Sequence, residues 1–531
     1  VTFGGALGEF ALGEFLETPV SELTGGGLIF EMYVEGDWED FSGDVRAEPF
    51  PRVHRGIEGS LPTDRMASTG TLTLTLDNSH KNSAGLLGYY SPDNANCRTD
   101  FGIGTPVRFS IQDTFGVDWY KFHGKIADIE PEAGEKLGRG VAITAVDYMD
   151  YLATTNLTRL AVQLNKRPDE IIDTIVDSLP IAPITTLYAT STETLAYALH
   201  RDRDEKTSAM NAIQKVLQSD MGYLFVSGDT ISGETLTYQN KYTRLLSSSA
   251  ASLSDDMRGL SVHRRADIIY NDIRVAVYPV RVDSANVVLA TAQTEFSVDD
   301  GDTLVLTMRY RDPSGAATRI SLKTQLAPVD GTDYEFTATP GSGNNDLTPD
   351  VSVSVDWGSN SAEVTIVNSS GGTAYSGGEE VFRLRGKAIY TYDPIEIVRQ
   401  DATSIAAYGL RTLLFSMPYQ SDLNTGAALA EALLQRYKDP WTQTESVTFD
   451  AIRSDTFHDY AAQLDIGDRL TLAETVTGIN SDFFINSVDY ELHAPDLIVV
   501  TWGLENIGNT GYWILEDATL GILELTTILG F

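Results

Sequence analysis

The sequence predicts a multidomain protein, mainly β with α+β parts. The chain has 531 residues, 42% of them hydrophobic, which exceeds one core and sets an expectation of roughly three to five domains. Long stretches alternate apolar and polar residues with period two, the signature of half-buried strands. One stretch, 156–265, changes to helical spacing before returning to strands.

Residues 1–28 form a Gly-rich apolar lead in which Ala6-Leu-Gly-Glu-Phe10 repeats at once as Ala11-Leu-Gly-Glu-Phe15. Residues 29–155 read as an antiparallel β domain. Leu72, Leu74 and Leu76 share one face of Thr71–Asp77, and Val107, Phe109 and Ile111 share one face of Pro106–Gln112. Tyr120–Ile129 and Val141–Val146 add strands, and Asp147 is placed to cap a short helix.

Residues 156–265 read as a small α+β domain. Pro168 opens a helix with Ile171, Ile175 and Leu179 on its apolar face, and Pro180 ends it. A second helix is expected from Lys206 to Ser219, with Met210, Ile213 and Leu217 as its stripe and Gly222 as its stop. Residues 266–290 and 385–400 are read as connecting strands around an insertion at 291–384. Evenly spaced strands (Leu304–Tyr310, Val351–Trp357, Ala362–Ile366) and the turn sequences Asp312–Gly315 and Ser369–Gly372 predict an immunoglobulin-like β-sandwich there, without a disulfide.

Residues 401–506 read as a helix pair feeding a second compact β unit. Asp401 is expected to cap a helix over Ala402–Leu414. Asp422 or Asn424 caps a second helix whose stripe is Leu429, Leu433, Leu434 and Tyr437, and Asp439-Pro440 stops it. Ile466–Arg469 turns into Leu470–Leu472, Phe484–Leu492 alternates, His493–Asp496 turns, and Leu497–Leu504 returns as an apolar strand. The last segment, 507–531, echoes the Leu-Gly units of the lead. Both ends are read as arms that dock on neighbouring subunits or proteins.

Asp401-Ala-Thr-Ser-Ile-Ala-Ala-Tyr-Gly-Leu-Arg411, Leu433-Leu-Gln-Arg-Tyr-Lys-Asp-Pro440 and Ile466-Gly-Asp-Arg-Leu-Thr-Leu472 followed by Phe483–Glu491 resemble the C-terminal half of minor tail proteins of long-tailed bacteriophages, those that form the hub at the tail tip. Gly70–Ser79, Gly104–Arg108, Phe122–Ile126 and Thr144–Asp147 resemble the same tail-tip (baseplate) hubs, so the resemblance spans most of the chain outside the insertion. It implies two tail-tube-like β-barrel domains, at 29–155 and within 401–506, and a homotrimer that presents six of them to a hexameric tail tube. It also implies partners: a distal tail protein ring, the tape-measure protein, tail fibre or tip proteins, and genomic DNA passing without tight binding. The expected location is the virion's tail tip after assembly in the host cytoplasm, with host-surface contact through the 291–384 insertion.

Net charge is −37, from 75 acids against 38 bases, which excludes tight duplex DNA binding by the chain as a whole. The acids serve either as a solvated surface or, in part, as the wall of a channel along which DNA slides. Cys97 is the only cysteine, so neither an intrachain disulfide nor a four-thiolate zinc site is available. The first residues lack a basic segment followed by an apolar one, so no signal peptide is expected, and no apolar run has the length of a membrane span.

No catalytic, cofactor or metal residue is assigned. His54, His80, His123, His200, His263, His458 and His493 form no H-E-x-x-H pattern, and no phosphate-cradling Gly-rich loop of the Gly-Lys-Ser/Thr type occurs. Glu9 with Glu14, or Glu379-Glu380, is a weak basis for a glycosidase. Asp202 and Asp204 with Arg201 and Arg203 read as a solvated turn. Asp299-Asp300-Gly301-Asp302 lacks the closing Glu of a calcium loop, and Asn368-Ser-Ser370 is a glycosylation pattern only. The chain is therefore read as a structural protein. The alternatives are a tail-associated cell-wall hydrolase, or a receptor- or polysaccharide-binding adhesin acting through 291–384.

Overall fold

The computed structural model describes residues 27–59, 61–133, 138–157, 159–200, 206–292, 294–312, 314–341, 345–377, 382–493 and 497–507. Most of both expected arms, with Glu9, Glu14, Asp202, Asp204 and Glu379-Glu380, lies outside the described residues, as does the turn at 494–496. The protein is mainly β, with several sheets and short helices.

A 13-stranded sheet dominates. In sheet order its strands are Gly259–His263, Gln443–Asp450, Leu497–Asn506, Ile479–His493, Arg52–Gly56, Ser68–Asp77, Gly140–Val146, Asp118–Pro131, Pro106–Gln112, Leu28–Val34 and Asp37–Asp40. Arg469–Glu474 also pairs with Ile479–His493 and carries Ser249–Ser254 in parallel on its outer side. The alternating leucines and aromatics bury as their spacing demands: Leu72, Leu74, Leu76, Val107, Phe109, Ile111, Val488, Tyr490 and Leu492 all enter the core.

The early and late β units are therefore not two separate closed barrels. The Arg52–Gly56 strand has both edges occupied: Ser68–Asp77 pairs on one side and Ile479–His493 on the other. Its second edge serves the late unit, and the end strands Gly259–His263 and Asp37–Asp40 do not pair with each other, so the ladder stays open.

Against this sheet packs the α+β region. Helices Pro168–Asp177 and Ala209–Asp220 lie together, and Tyr223–Ser227 pairs with Thr235–Gln239, which pairs in parallel with Thr185–Tyr188. Ile171, Ile175, Ile213, Leu217, Phe225 and Leu236 join the core of the large sheet. Ser208 caps the second helix by accepting from Asn211 N–H at 3.3 Å. Ser208→Ala is expected to cost about 1 kcal/mol, read as a lower urea midpoint at unchanged slope. The left-handed residue ending that helix is Met221 (φ 64°), not Gly222. Gly222 serves a different need: a Cβ there would meet the Tyr238 ring at 2.6 Å.

The first helix of 401–506 is shorter than its apolar residues suggested. It spans Ala402–Tyr408 and ends at Gly409, and Thr412–Met417 is a strand. Leu413, Phe415 and Met417 bury with period two, so the strand alternation prevails over the helical reading. This strand runs parallel to Asp272–Val277, which pairs on its other side with Ile395–Gln400. The Leu423–Tyr437 helix, capped by Asp422, covers this three-stranded sheet through Leu429, Leu433 and Leu434.

The insertion has its own core around Phe336, Val364, Ile366, Phe382 and Leu384. Ser361–Asn368 is the central strand between Thr303–Arg309 and Val351–Trp357, while Arg383–Thr391 pairs with Val287–Thr291 and Ser321–Leu326. Asn368 is fully buried, donating at 2.7 Å to both Val298 O and Gly372 O, so the glycosylation pattern is closed off in the folded chain.

Candidate functional site

The joint between the early and late β units is densely built from polar and charged side chains. It begins on the shared ladder, where Arg52 lies opposite Glu491, His54 opposite Asp489 and Gly56 opposite Ser487. Arg52 Nη2 donates to Asp489 Oδ2 at 2.7 Å. The His54 ring lies 3.2 Å from Asp489 through Nδ1 and 3.2 Å from Glu58 through Nε2.

The hydrogen bond to Asp489 raises the His54 pKa above its ordinary value, against the opposing effect of burial. Burial works against the Asp489 charge, but His54 and Arg52 hold its carboxyl below the usual range. The His54 contribution is thus fully present below its unfolded pKa of about 6.5 and is lost as pH rises through the higher folded value. The Asp489 contribution is present above the unfolded carboxyl pKa and is lost as pH falls through its depressed folded value. His54→Gln is expected to flatten the decline in stability above pH ~6.5, measured as urea midpoints against pH.

Beneath the ladder lies a buried ionic cluster. Arg55 Nη2 donates to both Asp465 oxygens, at 2.9 and 2.7 Å, and Arg55 Nη1 donates to Val226 O at 2.9 Å. Asp465 Oδ2 also accepts from Gly228 N–H at 2.7 Å and lies 3.8 Å from Lys121 Nζ. Lys121 in turn donates to Leu464 O at 3.0 Å. Arg55 and Lys121 are each 1% exposed, so neither charge has water to fall back on. Burial pulls the Lys121 ammonium down to about 8, with the Asp465 carboxylate working the other way. Burial likewise opposes the Asp465 charge, but Arg55 and Lys121 hold its carboxyl low.

A second buried cluster ties the α+β region to the end of the late unit. Arg244 Nη1 donates to Glu505 Oε2 at 3.0 Å, Tyr223 O–H donates to Glu505 Oε1 at 3.1 Å, and the Arg244 guanidinium lies 3.9 Å from the Tyr223 ring centre. Together the clusters join residues near 55, 121, 226, 244, 465 and 505, drawn from three stretches of chain. This arrangement can hold segments in one fixed geometry.

The histidines singled out from the sequence are dispersed. His123 pairs with Glu234 in the core, His458 Nε2 meets Gln112 O at 2.7 Å, His263 lies 3.2 Å from Glu445, His493 lies 3.7 Å from Glu491, and His80 reaches Gly85 O at 3.2 Å. His200 packs beside Tyr419. The Cys97 thiol is half-buried, and burial with Asp93 nearby pushes its pKa up. In the acidic turn, Asp299 accepts from Thr373 and Asp300 from Gly371 N–H. Among the described residues no group of three or more His, Cys, Asp or Glu is placed to hold a metal ion, and no helix is long and apolar enough to cross a membrane.

Sequence reasoning passed over Arg55, Lys121, Asp465, Arg244 and Glu505. A signal was there for Arg55: it sits two residues from Val53 on the same strand face, a charge where the alternation calls for an apolar residue.

No protein-family model and no curated protein matches the chain. Among solved structures it is similar to a 43 kDa tail protein of prophage MuSo2 from Shewanella oneidensis, at 12% identity and TM-score 0.47, covering 90% of this chain and 98% of that one. It is similar to a tail protein from Neisseria meningitidis MC58 at 9% identity and TM-score 0.47, covering 91% and 97%. It is also similar to prophage tail protein gp18 from Listeria monocytogenes EGD-e at 8% identity and TM-score 0.41, covering 90% and 94%.

Proposed function

We propose that the chain is a structural hub at the distal tip of a bacteriophage tail. Three copies form an adaptor between the hexameric tail tube and the tip or fibre proteins, and line the channel through which DNA leaves. The observation that carries this reading is the ladder between Arg52–Gly56 and Ile479–His493, which makes the early and late β units neighbours in one sheet. Two sheet halves held at a fixed spacing in each chain suit a threefold ring that continues a sixfold tube. The buried clusters at Asp465 and Glu505 keep that spacing rigid. The motif resemblance at 70–147 and 401–491 supports the same reading.

In this role the chain works by shape and charge and performs no reaction. The excess of 37 negative charges disfavours capture of passing DNA. The distal tail ring, the tape-measure protein and the fibre or tip proteins are its neighbours, and the 291–384 insertion, read as an immunoglobulin-like module, projects from the ring. Gold-labelled antibody against the insertion tests the placement on intact tails. Label confined to the distal tip is the expected result. Label along the shaft or at the head end contradicts it.

A further inference from the structure

The chain holds one cleft whose chemistry the tail reading does not use. It has a volume of about 540 Å³ and lies where the end of the Leu423–Tyr437 helix meets the turn at Thr477-Gly478 and the end of the Leu497–Asn506 strand. That volume is within the range of about 300–1,000 Å³ typical of small-molecule sites. Its wall carries two arginines, Arg264 and Arg436, and, among the described residues, no carboxylate, in a chain where 75 acids outnumber 38 bases. Arg436 Nη2 donates to Asn506 O at 2.9 Å and lies 3.6 Å from Glu505 Oε1, a carboxylate it shares with Arg244. Arg264 is exposed, and its Nη2 donates to Pro440 O at 3.2 Å.

Two polar atoms of the wall lack a hydrogen-bond partner among the described residues: Trp441 Nε1 and Thr444 Oγ1. Thr444 is 1% exposed, so its hydroxyl is a buried polar group that calls for a partner. Amide and hydroxyl side chains, Gln435, Asn480 and Ser481 among them, supply further neutral donors and acceptors.

We propose that this cleft binds a sugar bearing a carboxylate. Arg264 takes the carboxylate, which a planar guanidinium matches. The neutral side chains take ring hydroxyls, and Trp441 gives an indole N–H and an aromatic edge. A phosphate group is the poorer fit, because one of the two arginines is already paired. The site is independent of the tail-tip assignment and is separate from the 291–384 insertion.

The test uses the intact chain titrated with D-glucuronate and, separately, D-glucose, by calorimetry and by saturation-transfer NMR on the sugar protons. Saturable one-site binding of glucuronate, at least tenfold tighter than glucose, is expected. Arg264→Gln, at an exposed position, is expected to weaken glucuronate at least tenfold and leave glucose unchanged. Trp441→Phe, which keeps a ring and removes the N–H, is expected to weaken both sugars. Absence of saturable glucuronate binding up to 50 mM overturns the proposal. So does equal affinity for the two sugars, or an Arg264→Gln protein that binds as the parent does.

Discussion

Asp465→Asn is expected to destabilise the large sheet by about 3–5 kcal/mol, the usual cost of removing one partner from a buried ion pair. The substitution keeps the side chain's shape and removes the charge that faces Arg55 Nη2 at 2.7 Å and Lys121 Nζ at 3.8 Å. Both cations then lose their nearest counter-charge inside the core. Lys121, already pulled down to about 8, is expected to give up its proton more readily in the variant. Lys121→Met in the Asp465→Asn background is expected to recover part of the loss, because it removes one of the two stranded charges and keeps an extended side chain. Urea unfolding followed by tryptophan fluorescence reads both effects, since Trp502 is fully buried in the same sheet. A loss below 1 kcal/mol for Asp465→Asn would mean that the cluster does not hold the two halves.

Gly56→Ala is expected to open the seam itself. Gly56 sits at φ 127°, where L side chains are strained, and a Cβ would lie 2.4 Å from both Asn486 O and Ser487 Cα. Those atoms belong to the facing strand, so relief requires the ladder to part. Backbone strain and overpacking together set an expected cost of about 2–6 kcal/mol. Hydrogen exchange distinguishes local parting from global loss. Amides in Arg52–Gly56 and Ser487–Glu491 are expected to exchange faster, while those of Ser361–Asn368 in the insertion stay protected. Uniform acceleration across both regions would contradict the local account.

Much of the fold was legible in the sequence wherever one period ran unopposed. Thr71–Asp77 and Pro106–Gln112 alternate strictly, and both lie inside strands with the expected residues buried. Asp147, Asp401 and Asp422 are side chains able to accept an N–H, and each caps a helix. Ala402–Leu414 was misread because Ile405, Tyr408 and Leu413 fit a helical spacing, while Leu413, Phe415 and Met417 fit a strand equally well. Gly409 settles it by ending the helix between them.

The union of the two β units was not legible, because strand pairing across some 435 residues leaves no local trace. His54 and Asp489 face each other only once both strands are in register. The same holds for the buried clusters. Lys121 and Asp465 are ordinary charges in sequence, and with Arg55 they become a unit only when Asp465 arrives from the late half.

In the proposed assembly each chain contributes two ring-building sheet halves and three chains complete a ring. Cryo-electron microscopy of the assembled tail tip measures this directly, at a resolution that traces strands. The expected map has three copies, with residues 29–155 and 443–506 alternating six times around one axis. A single copy, six copies, or sheet halves at unequal distances from the axis would contradict it.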